Sequence, residues 1–425
     1  MGTPVSRPRI HRPDSGEDQR DPFARDHDRV LYAWEFRRLA SVTQVASGAE
    51  GHVFHNRLTH SIKVSQLARR IAEYLRQQDP VSAWPSKYKP IPECAAAAGL
   101  AHDLGHPPFG HIAEKELDRC VQAAEEPDGF EGNAQSFRIV TRLCAHRKGY
   151  FGLDLMPRTL DALLKYPWQR HERSGDTKKF GVYSTEAEVL AALRPSGPPR
   201  SPSLEAQIMD VADDIAYAVH DLEDFWRAGL IPIGALRSSE ADFEGFVETW
   251  KRDPDGKLDA TEIDKNVGAF RSLLLMMPLP LPGGGFKEQA SLNNTLSVLI
   301  GTFVRAISVD GPPHSPTIKM DPVKRAELRF LQRLTWHYVI QNPRLATQQK
   351  GQARVVEELF LYYLDLTKGG RADLVPSRFR HQLDGTPPAR LAADIVASFG
   401  DSGAATLAGR ITGANLGSVL DHPPV

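Results

Sequence analysis

Three histidines and an aspartate fall within ten consecutive residues of this chain, from His102 to His111. The run reads His-Asp-Leu-Gly-His-Pro-Pro-Phe-Gly-His, and segments with helical patterns on either side supply His60 and Asp213. Packing alone does not explain such crowding, because buried imidazoles and carboxylates need polar partners. The run therefore predicts a metal site.

The composition is that of a soluble globular protein with a sizeable core. The chain has 425 residues, of which 41% are hydrophobic and 25% charged. Its 52 Lys and Arg residues balance 53 Asp and Glu residues, for a formal charge of -1. No overall basic field therefore favours nucleic acid or an anionic membrane as the main partner, and any anion must bind locally.

The cysteines and the lengths of the apolar runs argue against disulfide-rich, zinc-thiolate and membrane-spanning proteins. The three cysteines are an odd number without close metal-ligand spacing, which argues against a disulfide scaffold and a thiolate zinc site. We expect them to be buried or inert, so histidines and aspartates must hold any metal. No apolar stretch approaches the ~20 residues of a membrane span, and residues 1–21 lack the apolar region of a signal peptide. We expect a cytoplasmic protein without a membrane partner.

Hydrophobic periodicity predicts an all-α fold, without alternating strands and turns. Residues 1–20 are polar and aperiodic and are predicted to be a flexible N-terminal segment, followed by a core domain over 21–311 and a helical C-terminal region over 312–425. Helices are predicted over 30–45, 61–75, 92–105, 133–144, 159–164, 185–193, 203–222, 291–307, 323–339 and 352–366. The stop signal Gly105-His106-Pro107-Pro108 places His102 and Asp103 in the last turn of the third of these helices.

Metal ligands must converge from rigid elements. His102 and Asp103 can both face one ion if the helices that carry His60 and Asp213 pack beside them. Imidazoles and carboxylates without thiolate suit Mn²⁺, Fe²⁺, Co²⁺ or Zn²⁺, and an incomplete shell leaves room for water and a phosphate oxygen. The sequence does not choose among these metals.

The order of these residues resembles the HD phosphohydrolase superfamily, and more closely its deoxyguanosinetriphosphate triphosphohydrolase-like (dNTPase) family. The resemblance rests on Arg57-x-x-His60, the dipeptide His102-Asp103, and Asp213 within the run from Asp210 to Asp221. An HD dipeptide alone is weak evidence, but the ordered set over residues 21 to 230 is specific. Supporting runs lie at 28–30, 36–39, 43–45, 102–111, 130–138, 159–161, 164–167 and 205–210.

The resemblance implies an HD-domain helical phosphohydrolase core, usually oligomeric. Such an enzyme hydrolyses a deoxynucleoside triphosphate to the deoxynucleoside and inorganic triphosphate, by water attack at the α-phosphorus. By position, the metal ligands would be His60, His102, Asp103 and Asp213. The cofactor would be a divalent ion, Mn²⁺, Mg²⁺ or Co²⁺, with Fe²⁺, Ni²⁺ and Zn²⁺ as further candidates. Further partners would be a nucleotide effector and single-stranded nucleic acid.

The same resemblance assigns the catalytic groups. His111, with Glu114 one turn later, resembles the family's catalytic pair, in which the carboxylate orients the imidazole. His106 would lie near the α-phosphate. The sequence leaves open whether His111 or Glu114 transfers the proton.

Substrate-binding residues also follow from the resemblance. Lys165 and Lys179 resemble triphosphate-binding lysines, and Arg57 can contact phosphate oxygens from the face of its helix that carries His60. Gln44 would contact the 3′-hydroxyl. Asp213, Tyr217 and Asp221 follow at i, i+4 and i+8, so one helical face can present a metal ligand, a ring against the sugar and a carboxylate for the 3′-hydroxyl. A ring against the 2′ carbon would select deoxyribose.

The C-terminal segment departs from the family pattern. Members carry a segment like Asp-Tyr-Ile-Ala-Gly-Met-Thr-Asp-Arg-Tyr-Ala, whereas residues 394–404 have Ser402 and Gly403 in place of its Arg and Tyr. A preference for dGTP therefore does not carry over, and hydrolysis of several dNTPs is equally plausible. Two alternatives remain open: hydrolysis of another nucleotide, such as a nucleoside monophosphate or a signalling nucleotide, and nucleotide or nucleic-acid binding without turnover.

Overall fold

A computed structural model describes Arg9 and residues 19–44, 55–172, 178–194, 201–252, 258–279, 285–341, 343–369 and 371–415, with the side chains of 343–346 excepted. Helices dominate these residues, which confirms the predicted all-α class. The predicted flexible segment 1–20 lies outside the described residues apart from Arg9, Gln19 and Arg20.

The α-helices are α1 Pro22–Leu31, α2 Trp34–Arg38, α3 Arg57–Gln77, α4 Pro92–Ala101, α5 His111–Ala123, α6 Gly132–Arg138, α7 Pro157–Ala162, α8 Ala187–Leu193, α9 Leu204–Ala216, α10 Leu222–Arg227, α11 Ile233–Ser238, α12 Glu240–Arg252, α13 Ala260–Met276, α14 Phe286–Arg305, α15 Pro322–Thr335, α16 Pro343–Lys368, α17 Pro388–Ala397 and α18 Asp401–Ile411.

Two predicted helices that carry site residues differ in their bounds. The helix predicted over 30–45 is broken, because Ala33 adopts extended backbone angles between α1 and α2 and a short 3₁₀ turn then ends at Ser41. The break leaves Tyr32 exposed while Phe36 and Leu39 enter the core. The helix predicted over 92–105 ends at Ala101, so that His102 is its C-cap and Asp103 follows it.

A short antiparallel hairpin was not predicted. Its strands are β1 Ile307–Asp310 and β2 Thr317–Met320, with Ile307 opposite Met320 and Asp310 opposite Thr317. Four residues per strand give too little alternation to be recognised in the sequence. The predicted boundary between residues 311 and 312 falls in the turn of this hairpin.

Hydrophobic side chains form two large clusters that frame the site. The larger one joins α3 and α9 to α12, α13, α14 and α15. The second packs α5 against α16, α17 and α18, so the C-terminal helices rest on the helix that begins at His111. Cys94, Cys120 and Cys144 are free and buried, as expected. None of the described helices has the length and apolarity of a membrane span.

Helix α4 approaches its neighbours closely because its side chains are small. Residues Cys94 to Ala101 are all buried, and six of these eight residues are alanine or glycine. A Cβ on Gly99 would lie 2.8 Å from Ser65 Cα of α3. Large side chains here would force α3 and α4 apart, and with them His60 and His102.

Gly105 provides a test of this packing. A Cβ on Gly105 would lie 2.1 Å from the Gly132 carbonyl oxygen and 2.4 Å from the Ser136 backbone nitrogen. We expect Gly105→Ala to lower the free energy of unfolding by about 1–3 kcal/mol, because the backbone of α6 must shift. Urea unfolding followed by circular dichroism measures this loss.

Gly245→Ala is the matched control. In α12 a Cβ at Gly245 would have no atom of the described chain within 4 Å, so alanine should stabilise the helix by up to about 1 kcal/mol. Equal unfolding midpoints for the two variants would contradict the packing argument.

Candidate metal centre and catalytic site

Three helices bring the predicted metal ligands together. Asn56 caps α3 by accepting the Thr59 N–H at 3.0 Å, which places His60 in the first turn. His102 stands at the end of α4 and Asp213 lies within α9. Helices α3, α4 and α9 all pack against one another, so residues 153 positions apart in the sequence meet at one point.

Ligand atoms of His60, His102 and Asp213 all lie within 4.8 Å of one another. His60 Nε2 is 3.0 Å from Asp213 Oδ1, and His102 Nε2 is 3.6 Å from the same oxygen. Asp103 Oδ1 lies 3.4 Å from His102 Nε2 and can complete the set. The structure thus brings all four predicted ligands into one cluster.

The tautomer of His102 fits a metal ligand. Its Nδ1 lies 2.8 Å from the Gly99 carbonyl oxygen and donates to it, so Nε2 is the ring nitrogen that can bind a metal ion in place of a proton. That Nε2 is buried and has no hydrogen-bond partner among the described residues. It lies near the Asp103 and Asp213 carboxylates, which attract a cation to this nitrogen. The residues present therefore fit a divalent ion.

The electrostatics of His102 favour a cation. Burial opposes the charged form, but the Asp103 and Asp213 carboxylates outweigh it and raise the pKa of His102 to about 9. The pKa of Asp213 is well below its usual range, because contacts with His102 and His60 outweigh its burial. The cluster is thus suited to hold positive charge.

Arg57 orients one ligand. Its Nη1 donates to Asp103 Oδ2 at 2.8 Å and its Nε donates to the Thr43 carbonyl oxygen at 3.1 Å. The guanidinium is buried at 2% exposure. Fixing Oδ2 leaves Asp103 Oδ1 directed at the imidazoles. The contact with phosphate predicted for Arg57 stays a prediction.

Beside this cluster lies the predicted catalytic group. His111 Nδ1 is 2.9 Å from Glu114 Oε2, and the His111 side chain is 69% exposed whereas Glu114 is buried. His106 links this group to the metal cluster, since its Nδ1 is 3.0 Å from Asp103 Oδ1 and its Nε2 is 4.0 Å from Glu114 Oε2. Burial and the Arg57 charge lower the pKa of His106 to about 4, so it is neutral at pH 7.

Lys179 neutralises the carboxylate of that group. Its Nζ donates to Glu114 Oε1 at 3.0 Å and to Glu131 Oε1 at 2.9 Å. Despite burial, His111, His106 and Lys179 hold the pKa of Glu114 well below its usual range. His106, His111 and Glu114 also have the spacing of a metal site. However, the Lys179 ammonium already supplies positive charge to Glu114, which makes a second cation at this carboxylate less favourable.

Lys165 is linked to the metal cluster through Asp210. Its Nζ pairs with Asp210, one helical turn before Asp213 in α9. Burial opposes its charge, yet the Asp210 and Asp213 carboxylates raise the pKa of Lys165. Both predicted lysines therefore border the site as cations, although carboxylates hold them in this structure.

The predicted sugar contacts occupy a widened turn. Helix α9 continues into a π-helical turn from Tyr217 to Asp221, a feature often found at functional sites. Asp221 is buried, and its Oδ2 has no hydrogen-bond partner within the described chain. Burial and the charges of Asp224 and Asp213 raise the pKa of Asp221 well above its usual value. Gln44 Oε1 is likewise buried without a partner in the described part, so both groups can accept a ligand's hydroxyl.

Sequence reasoning missed two buried groups. By composition, Arg38 looks like a helix-surface residue, but it is buried and donates to the carbonyl oxygens of Leu104, His106 and Phe399. Glu131 caps α6 and holds Lys179. Glu131 lies in the run 130–138 and Arg38 in the run 36–39, both of which support the family resemblance, but no pattern in the sequence predicted their burial or their contacts.

Comparison with known proteins gives matches along most of the chain. Residues 57–218 match the HD domain, and residues 318–410 match the phosphohydrolase-associated domain. The HD match contains all four proposed metal ligands as well as His106, His111 and Glu114. The second match contains α15 to α17 and most of α18.

Three curated relatives are named as deoxyguanosinetriphosphate triphosphohydrolase-like proteins. A deoxyguanosinetriphosphate triphosphohydrolase-like protein of Corynebacterium efficiens is 33% identical over 93% of this chain and 92% of its own length. The protein of that name from Streptomyces coelicolor is 35% identical over 93% of each chain. A deoxyguanosinetriphosphate triphosphohydrolase-like protein 2 of Vibrio cholerae is 40% identical over 54% of this chain and 52% of its own.

We expect a metal ion bound at this centre to stabilise the folded protein. Mn²⁺ at 100 times its dissociation constant should raise the free energy of unfolding of the wild-type protein by about 2.7 kcal/mol. His102→Ala should lose most of this gain, because it removes the buried Nε2 acceptor. Thermal unfolding with and without Mn²⁺ measures both effects.

His314→Ala, in the exposed turn between β1 and β2, is the control and should keep the full Mn²⁺ effect. An undiminished shift in His102→Ala would rule out the assigned centre.

Proposed function

The chain belongs to the family of deoxyguanosinetriphosphate triphosphohydrolase-like proteins and is an HD-domain phosphohydrolase, and from this premise we propose its substrates and reaction. It hydrolyses deoxynucleoside triphosphates, either dGTP or several dNTPs, to the deoxynucleoside and inorganic triphosphate by water attack at the α-phosphorus. The observation that carries the proposal is the His111–Glu114 pair beside the His60, His102, Asp103 and Asp213 cluster.

The four ligands fit Mn²⁺, Mg²⁺ or Co²⁺, with Fe²⁺, Ni²⁺ and Zn²⁺ as alternatives, since all four offer nitrogen or oxygen. A bound divalent ion would supply positive charge against the α-phosphate oxygens. Arg57 keeps Asp103 oriented for this task. His106 lies between Asp103 and Glu114, next to the position proposed for the α-phosphate.

His111 is the residue of the pair that moves the proton. Glu114 is buried and already contacts His111 and Lys179, so its oxygens are occupied. By accepting the Nδ1–H of His111, Glu114 fixes the tautomer that leaves Nε2 free on an exposed ring. This Nε2 can take a proton from the attacking water or give one to the leaving 5′ oxygen.

Lys165 and Lys179 bind the β- and γ-phosphates after exchanging their carboxylate partners for phosphate oxygens. Gln44 and Asp221 contact the 3′-hydroxyl, which donates to one of their two oxygens that lack a partner in the described chain and can accept from the Gln44 amide N–H. Tyr217 packs against the sugar, one turn from Asp213. Homo-oligomerisation, a nucleotide effector, binding of single-stranded nucleic acid and a cytoplasmic location remain predictions.

The direct test is product analysis. Wild-type protein is incubated with each dNTP and rNTP, singly and mixed, and separately with each nucleoside monophosphate, in the presence of Mn²⁺, Mg²⁺ or Co²⁺. The products are resolved by ion-exchange chromatography. We expect deoxynucleoside and triphosphate in equal amounts. No triphosphate under any condition would overturn the proposal, and phosphate released from a nucleoside monophosphate would indicate a different HD phosphohydrolase.

In the same assay, His111→Ala should lower kcat by about 10²- to 10⁴-fold, the usual contribution of a positioned acid or base. Mn²⁺ binding should persist, because His111 is not among the metal ligands.

Sugar selection by Tyr217 gives a further prediction. Tyr217→Ala should raise kcat/KM for rNTPs relative to dNTPs by about tenfold, because a smaller side chain leaves space for a 2′-hydroxyl. Competition between dGTP and GTP, and between dATP and ATP, measures the ratio. Tyr338→Ala, which removes a ring stacked on Phe246 in the larger hydrophobic cluster, should keep the wild-type ratio. Unchanged selectivity in Tyr217→Ala would refute the assignment.

A further inference from the structure

Asp401, the first residue of α18, contacts two segments that line the site. One carboxylate oxygen, Oδ1, accepts the Phe109 backbone N–H at 2.8 Å. The other, Oδ2, accepts the Thr43 backbone N–H at 3.0 Å and also the Thr43 hydroxyl. A single side chain from the C-terminal helices therefore ties together two segments that are 66 residues apart in the sequence.

The first of these segments sets the position of His111. Phe109 and Gly110 have φ angles of 65° and 63°, and the next residue, His111, begins α5. A positive φ is unfavourable for phenylalanine and persists only where surrounding contacts impose it. The Asp401–Phe109 hydrogen bond is such a contact, and it lies two residues before His111.

The second segment leads to Gln44 and Asp103. Thr43 precedes Gln44, and its carbonyl oxygen accepts from Arg57 Nε at 3.1 Å. Arg57 in turn holds Asp103 Oδ2. A Cβ at Gly110 would lie 3.0 Å from Arg57 Nη2, so the two segments enclose the guanidinium closely.

Contacts on the preceding residues fix the approach of Asp401. Arg38 Nη1 donates to the Phe399 carbonyl oxygen at 3.0 Å while its Nη2 holds Leu104 and His106. A Cβ at Gly400 would lie 2.1 Å from Ser41 Oγ, so glycine is needed for this close approach. The start of α18 is therefore docked against the site from two directions.

We propose that Asp401 is a positioning residue that holds the Phe109–Gly110 turn, and with it His111, against the Thr43–Gln44 segment. This inference rests on the proposed function, because His111 moves the proton in that reaction. The C-terminal helices thereby take part in catalysis without touching substrate. Small displacements of a catalytic group can cost about 10²-fold in rate.

The test uses Asp401→Asn and Asp401→Ser in the full chain. Asparagine keeps one acceptor but directs N–H groups at a backbone donor. Serine suits a helix N-terminus but is too short to reach both segments. We expect kcat for dNTP hydrolysis to fall about 10- to 100-fold in each variant, with KM changing less and Mn²⁺ affinity unchanged. Asp373→Asn, which alters an exposed ion pair with Arg371, is the control and should keep wild-type kcat.

Amide hydrogen exchange provides a readout that does not need activity. In the wild-type protein the Phe109 N–H is bonded to Asp401 and should exchange slowly, whereas both Asp401 variants should lose this protection and Asp373→Asn should keep it. If wild-type protein hydrolyses no dNTP, the proposed function fails while the exchange experiment still tests the positioning. Wild-type kcat together with retained Phe109 protection in either folded variant would overturn the inference.

Discussion

The close approach of α4 to α3 and α9 is the constraint on which the site depends. An ion can contact side chains of three helices only if their axes come close, and the alanines and glycine of α4 permit this. The small side chains of α4 contribute little hydrophobic stabilisation. The large hydrophobic cluster that α3 and α9 share with α12 to α15 offsets this loss. Stability is thus concentrated beside the site, and the site itself is free to hold polar residues.

Several carboxylates near the site have a cationic partner, whereas Asp221 Oδ2 has no hydrogen-bond partner in the described part of the chain. Arg57 pairs with Asp103, Lys165 with Asp210, and Lys179 with Glu114 and Glu131. Removing one partner of a buried ion pair lowers the free energy of unfolding, because the other charge is left uncompensated. A polyanionic substrate that draws Lys165 and Lys179 toward its phosphates would leave their carboxylates to be satisfied by other donors. Under the proposed function, phosphate binding would therefore be coupled to a rearrangement of these ion pairs.

The sequence predicted the metal cluster because its ligands occur in recognisable local patterns at the ends of helices. His102 and Asp103 precede a Gly-Pro stop signal, and His60 sits one turn from Arg57 in a strongly periodic segment. The role of Lys179 was harder to infer, because its partner Glu131 lies 48 residues away and no local pattern links them. The same limit applies to Arg38, which donates to carbonyl oxygens of two segments distant from it in the sequence. The hairpin was missed for a different reason, since its strands are too short to show a period.

The C-terminal segment 394–404 keeps the aspartates of the family segment but lacks its Arg and Tyr. Asp394 and Asp401 occupy the same positions as the two aspartates of the family segment, and both are engaged: Asp394 with Arg138 and Gln135, and Asp401 with Thr43 and Phe109. The replaced positions, Ser402 and Gly403, lie on the first turn of α18 directly after Asp401, and Ser402 is exposed. Residues that bind the helix to the site are therefore retained, while a cation and an aromatic ring next to them are lost. Such a change leaves the contacts of Asp401 with Phe109 and Thr43 intact. The substitution therefore gives no reason to expect that the turn before His111 is displaced, whereas a preference for dGTP does not carry over from the family segment.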